Sequence, residues 1–293
     1  MGLEYEQKFP ERIPSTLPVY RLQEPSHFPG STAVLSTVAK QLDLSGTATE
    51  ICVSDDWTVH QEGPYDLRLH TKSGGLVYRH RERYGFHWGD RTFEMSDEEA
   101  GNISRRFIEQ TGLVNIDETR LLRVTHLFTQ GGDRDSQRMQ EPAALDAGVL
   151  FGRAIGDVPV DGPGGKAMIH VDVEEQVVGL SLVWRQLGDV VADVEILPPD
   201  QAYATMEDIA RKVRGEVLVT TASFGYFEQG MDDVQRVLQP AYVMIYVVRD
   251  EEVSFKSAEV VAASERVFEP FRGEKRFPAT AQPTREAPKE RRE

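Results

Sequence analysis

Three times along this chain an amphipathic helical segment is followed by a run of strand-like segments, and that order limits the available folds more than any other feature. The first helix is expected at about 31–43, where Ala33, Val34, Val38 and Leu42 fall near helical spacing. Strand-like runs follow at 48–53, 57–60, 66–70 and 76–80, with Ser73-Gly74-Gly75 as a turn. The second helix opens on Ser96-Asp97-Glu98-Glu99, where the Ser96 hydroxyl accepts from the Glu99 backbone and the Glu99 carboxylate reaches back. Ala100, Ile103, Phe107 and Ile108 give it an apolar face, and Gly112 stops it. Strands are expected at 121–129, 148–155, 167–173 and 177–185. The third helix, about 201–213, follows Leu197-Pro198-Pro199-Asp200 and ends at Gly215, with strands at 217–228, 240–249 and 253–262.

The fold class this predicts is α+β, with about three tandem units of one helix packed on a small antiparallel β-sheet. The expected organisation is an N-terminal arm at 1–17, unit one at 18–92, unit two at 93–193, unit three at 194–271 and a disordered tail at 272–293. The tail is rich in Pro, Arg, Lys and Glu and has little to bury.

Charge narrows the partners. Forty-eight acidic against 33 basic residues leave a net charge of −15, which repels nucleic acid and anionic membrane surfaces alike. No window approaches the apolar length of a membrane span, and the first residues lack the apolar core of a signal peptide, so a cytoplasmic location is expected. The one cysteine, Cys52, excludes an internal disulfide and a site built of several thiolates, and its apolar neighbours mark it as a small buried hydrophobe.

No motif announces chemistry. Gly162-Pro163-Gly164-Gly165-Lys166 suggests a phosphate loop, but Val160 and Ala167 stand where that loop needs Gly and Ser or Thr, so a turn is expected. His60, His70 and His80 recur every ten residues without metal-ligand spacing. No Gly-x-Ser-x-Gly elbow occurs. The stretch from Tyr78 to Trp88 interleaves cations with aromatics. It reads as a sheet edge or as a pocket wall in which Glu82 and His87 serve as acid and base. The acidic balance of the chain disfavours the third reading, a single-strand nucleic-acid platform. No catalytic residue, metal site or cofactor is assigned.

Val149–Val160, then the Gly-Pro-Gly-Gly turn, then Met168–Val173 and Gln176–Leu180, resemble the PepSY-type module of thermolysin-like propeptides, with Asp157 where that pattern has Gly. The helix after Pro198-Pro199, with Ala222–Phe227 and Leu238–Val243, resembles the C-terminal part of the YycH and YycI regulators. Together these cover roughly residues 95–250. The resemblance implies a PepSY/cystatin-like fold, no catalytic residues, and a role as inhibitor, chaperone or sensor.

The leading functional expectation is therefore a non-catalytic binding or regulatory module that meets a protein partner through an exposed sheet face or edge. Phe224, Tyr226, Tyr242 and Tyr246 are its candidate anchors. The alternative is a small-molecule-binding protein or an enzyme, such as a biosynthetic tailoring or cyclising enzyme. Its small apolar ligand would lie in a pocket between units two and three, near Trp184, Arg185, His170 and Tyr226. A structural or assembly protein is the third reading.

Overall fold

The computed structural model describes residues 2–24, 39–40, 49–54, 56–85, 93–132, 139, 141–250 and 254–271. Of the helix expected at 31–43 only Ala39 and Lys40 are described, and both are helical; the rest lies outside the described residues. Among the described residues the chain forms sixteen strands and two α-helices. They are β1 (Leu3–Tyr5), β2 (Thr16–Leu22), β3 (Thr49–Ser54), β4 (Trp57–Glu62), β5 (Tyr65–His70), β6 (Leu76–His80), α1 (Asp97–Thr111), β7 (Thr119–Thr129), β8 (Ala143–Ile155), β9 (Val158–Asp161) and β10 (Lys166–Asp172). There follow β11 (Val177–Val183), β12 (Leu187–Glu195), α2 (Asp200–Lys212), β13 (Glu216–Phe227), β14 (Val237–Leu238), β15 (Pro240–Arg249) and β16 (Ser254–Ala262).

Two compact units result: Leu17–Val194 with Gly225–Gln239, and Met1–Thr16 with Glu195–Phe224 and Pro240–Glu293. In the larger unit, β3, β4, β5, β6, β11, β10 and β8 lie side by side in that order, each antiparallel to the next. The far side of β8 carries β7 along most of its length and β9 at its end. β9 in turn pairs in parallel with the last residues of β13, Tyr226 opposite Val160. A separate three-stranded sheet runs β12–β2–β14.

This overturns the expected α+β class of tandem helix-plus-small-sheet units, and with it the description as a tandem repeat. The protein is mostly β, built on a large mixed sheet. The reason lies in the strand edges. An edge leaves a row of N–H and C=O groups unpaired. Here β6, the last strand expected of unit one, meets β11 of unit two, with Tyr78 opposite Leu180, so the two small sheets merge.

α1 forms as its sequence dictates. The Ser96 hydroxyl accepts from Glu99 N at 3.2 Å, Ser96 N donates to Glu99 Oε2 at 2.9 Å, and Gly112 closes the helix at φ 61°. Such a cap contributes about 1 kcal/mol. The helix buries Ala100, Phe107 and Ile108 against alternate residues of the sheet: Ala147, Val149 and Phe151 of β8, Ile169 and Val171 of β10, and Leu180 and Leu182 of β11. Each large side chain so buried contributes about 1.5–3 kcal/mol before the entropy cost of ordering it.

In the smaller unit α2 is the one helix described. β15 and β16 pair antiparallel over their full lengths, and β1 runs parallel to the start of β13. Its core includes an aromatic cluster in which Phe9 meets Tyr203 at 5.2 Å and Tyr242 at 4.9 Å edge-on. The Tyr242 hydroxyl donates to Leu197 O at 2.6 Å, and burial pushes its pKa up to about 12. Phe224, Tyr226, Tyr242 and Tyr246 are all buried, so none of these anticipated anchors is available at a surface. No helix among the described residues is long and apolar enough to cross a membrane.

Candidate functional site

The surface feature that stands out is β7. Its eleven residues, Thr-Arg-Leu-Leu-Arg-Val-Thr-His-Leu-Phe-Thr, suit a strand, and among the described residues it pairs with β8 alone. Among the described residues no strand pairs with its other edge. Leu121, Leu122, Leu127 and Phe128 are 48%, 52%, 41% and 59% exposed, a concentration of apolar side chains that a guarded edge strand avoids. The strand has no Pro, Lys or carboxylate; its charges are the exposed Arg120 and Arg123, on a chain whose net charge is −15.

β7 is held in place from behind. Leu122 leans over Gly152 of β8, where an added Cβ would lie 2.7 Å from Leu122 Cδ1. His126 faces the start of α1, with Nε2 3.6 Å from Asp97 Oδ1 and its ring 5.5 Å from that of Phe93. Bulges between Leu121 and Arg123 and between Leu127 and Phe128 interrupt the register. The result is an apolar strand that, among the described residues, is paired on one side.

The anticipated site residues scatter. Trp184 and Arg185 are buried. The Arg185 guanidinium donates to Glu228 Oε1 at 3.3 Å and to the carbonyls of Gln229, Gly230 and Asp233 at 2.7, 2.8 and 2.6 Å. Arg153 of β8 donates to Glu118 Oε2 at 2.7 Å, the Arg185 carbonyl at 2.7 Å and Glu228 Oε2 at 3.4 Å, and stacks over Trp184 at 5.2 Å. Glu228 is wholly buried. This knot pins the segment after β13 onto the sheet.

The knot also explains the Gly-Pro-Gly-Gly turn. At Gly162 (φ 96°) and Gly164 any Cβ would collide with the Glu228 and Gln229 carbonyls respectively, so that segment passes where only glycine permits it. Lys166, which a phosphate loop would need, instead donates to Val160 O at 2.8 Å, and burial lowers its pKa.

Tyr226 is buried in the same unit, its hydroxyl donating to Pro18 O at 2.8 Å. Burial raises that phenol's pKa. Glu82 is exposed in the turn after β6, and His87 lies outside the described residues. Cys52 is in β3. The three regularly spaced histidines do not converge: His60 stands opposite Leu67, His70 opposite Trp57 and His80 opposite Tyr65. No group of three metal-binding side chains occurs among the described residues.

His170 is the one anticipated residue in a chemically suggestive setting. Its Nδ1 lies 3.1 Å from Oδ1 of the buried Asp146, and Tyr84 packs edge-on at 4.9 Å. The Tyr84 ring occupies the space above Gly179, where a Cβ would come within 2.7 Å of it. The stretch from Tyr78 to Trp88 and His170 therefore meet through Tyr84. A carboxylate-oriented imidazole is half of an acid–base device. The hydroxyl on its flank, Thr125 Oγ1, donates to Gly148 O at 3.2 Å.

No family model matches this chain, and no curated protein matches it in sequence. Among solved structures, an uncharacterized protein from Eubacterium rectale shares the fold, with a TM-score of 0.59 and 10% identity over 92% of this chain and 91% of that one. The YpeB C-terminal domain of Bacillus megaterium is a slighter neighbour, with a TM-score of 0.38 and 10% identity over 80% of this chain and 93% of that one.

Proposed function

We propose that this protein is a non-catalytic binding or regulatory module that takes an extended segment of a protein partner onto the open edge of β7. The observation that carries this is the exposure of Leu121, Leu122, Leu127 and Phe128 on a strand that, among the described residues, is paired on one side only. Strand addition draws affinity from main-chain hydrogen bonds and specificity from alternate side chains. β7 supplies both. Arg120 and Arg123 select the chemistry of the partner: an apolar segment carrying carboxylates, which two cations without a neighbouring acid on the strand favour. The resemblance of 149–180 to PepSY-type modules, whose members look like binders of protein, points the same way.

The test is affinity capture by the wild type beside the Leu127→Lys/Phe128→Lys variant, with hydrogen exchange on any complex formed. The reading predicts a partner retained by the wild type, lost by the variant, and slowing exchange along β7. A partner held equally by both, with protection elsewhere, would exclude it.

A further inference from the structure

A cleft away from β7 lies under α1. Between that helix and β5, β6 and the β10–β11 hairpin is a cavity of about 490 Å³. That volume is within the range of small-molecule sites. Its apolar end is made by Tyr65 and Tyr78, stacked at 6.4 Å with 21° between their planes, together with Phe107 of α1. An adjoining cavity, also of about 490 Å³, shares Ile103, Arg106 and Glu175 with the first.

Arg106 and Glu175, both solvent-exposed, flank that junction. Arg83 is satisfied by Asp172 and Glu174, with Nε donating to Asp172 Oδ2 at 2.7 Å and NH2 to Glu174 Oε2 at 2.8 Å. Burial, with Arg83 nearby, holds the His80 imidazole below its ordinary pKa, which keeps it neutral at pH 7. That leaves Arg106 on α1 and Glu175 on the hairpin. The Arg106 guanidinium and the Glu175 carboxylate have no hydrogen-bond or ion-pair partner among the described residues, and they are not paired with each other although they line the same two cavities.

Glu175 is also the one non-glycine residue described with a positive φ, 61°. It sits third in the Val173-Glu174-Glu175 loop, the position where a three-residue hairpin favours Gly. A glycine there would relieve the strain and remove the carboxylate from the cleft.

We propose that this cleft binds a small zwitterion with an apolar side chain, an α-amino acid whose carboxylate meets Arg106, whose ammonium meets Glu175 and whose side chain enters between Phe107 and the two tyrosines. A bidentate guanidinium–carboxylate pair and a charge-assisted N–H···O bond are the interactions such a junction supplies. Neither charge then remains unpaired when the site is filled.

The test is calorimetric titration of the full chain with three probes: L-phenylalanine, 3-phenylpropanoate, which lacks the ammonium, and 2-phenylethylamine, which lacks the carboxylate. L-Phenylalanine should bind with a dissociation constant of about 1 mM or tighter, and each analogue at least about tenfold more weakly. Arg106→Gln should erase the preference for L-phenylalanine over 2-phenylethylamine. Glu175→Gly should erase the preference over 3-phenylpropanoate while raising the melting temperature, which separates loss of binding from loss of fold. No saturable binding of L-phenylalanine up to about 10 mM, equal binding of the three probes, or binding indifferent to both substitutions would each overturn the proposal.

Discussion

Arg153 on β8 and Leu122 on the neighbouring β7 invert the usual placement of charge and grease. Arg153, Arg185 and Glu228 are 3%, 2% and 0% exposed, whereas Leu122 and Phe128 are 52% and 59% exposed. Burying charge is costly unless every ion is paired and hydrogen-bonded. The knot meets that condition, since two guanidinia share one carboxylate and spend further donors on backbone carbonyls. What it specifies is position: the path of 228–235 across the sheet. β7 carries the reverse, apolar side chains left exposed. Residue type alone misleads in both places. The adjacent Trp184 and Arg185 are buried, and the adjacent Leu121 and Leu122 are exposed.

Four perturbations would sharpen or break that contrast. Glu228→Gln leaves the buried Arg185 without its anion and Arg153 with Glu118 alone, and should cost about 3–5 kcal/mol in chemical denaturation. A loss under about 1 kcal/mol would show that the knot is incidental. Gly164→Ala drives a Cβ into the Gln229 carbonyl and should cost about 1–3 kcal/mol without changing the charge count.

The third perturbation is pH. His70 is 4% exposed, burial lowers its pKa, and its Nδ1 lies 2.8 Å from Ser73 Oγ. A base whose folded pKa is depressed takes up its proton first in the unfolded chain. Stability is therefore full above the ordinary histidine value of about 6.5 and is lost as pH falls through the lower folded value. Melting temperature should decline from pH 7 to pH 5, with a shallower slope in His70→Asn; identical slopes would remove His70 from the account. The smallest stability effect belongs to β7. Leu122→Lys and Phe128→Lys should each shift stability by no more than about 0.5 kcal/mol, as exposed positions do, while weakening partner binding at least tenfold.

Local features were legible in the sequence and lateral ones were not. The Ser96–Glu99 capping box and the Gly112 stop form as their residue types dictate. The strand expected at 240–249 is β15, and the helix expected at about 201–213 is α2 within a residue. Hydrophobic alternation sees a strand's faces but not its neighbours. The pairing of β6 with β11 joins residues about a hundred positions apart, and so the sheets of the first two apparent units became one. The same blindness hid the candidate site. Nothing in Leu121-Leu122 or Leu127-Phe128 says that β7 ends up paired on one side only among the described residues, although the lack of Pro, Lys or carboxylate in the strand was a readable sign of an unguarded edge. Glu228 offered no signal at all, because its carboxylate partners come from 153 and 185.

The most direct test of the central claim is residue-resolved amide hydrogen exchange along β7, in the free protein at low concentration and again with a captured partner. The account predicts two classes of amide in the free protein, those bonded to β8 exchanging slowly and those directed away from it exchanging freely, with the second class slowed by the partner. Uniform protection along Thr119–Thr129 in the free protein, or free exchange of the outward amides unchanged by a bound partner, would contradict it.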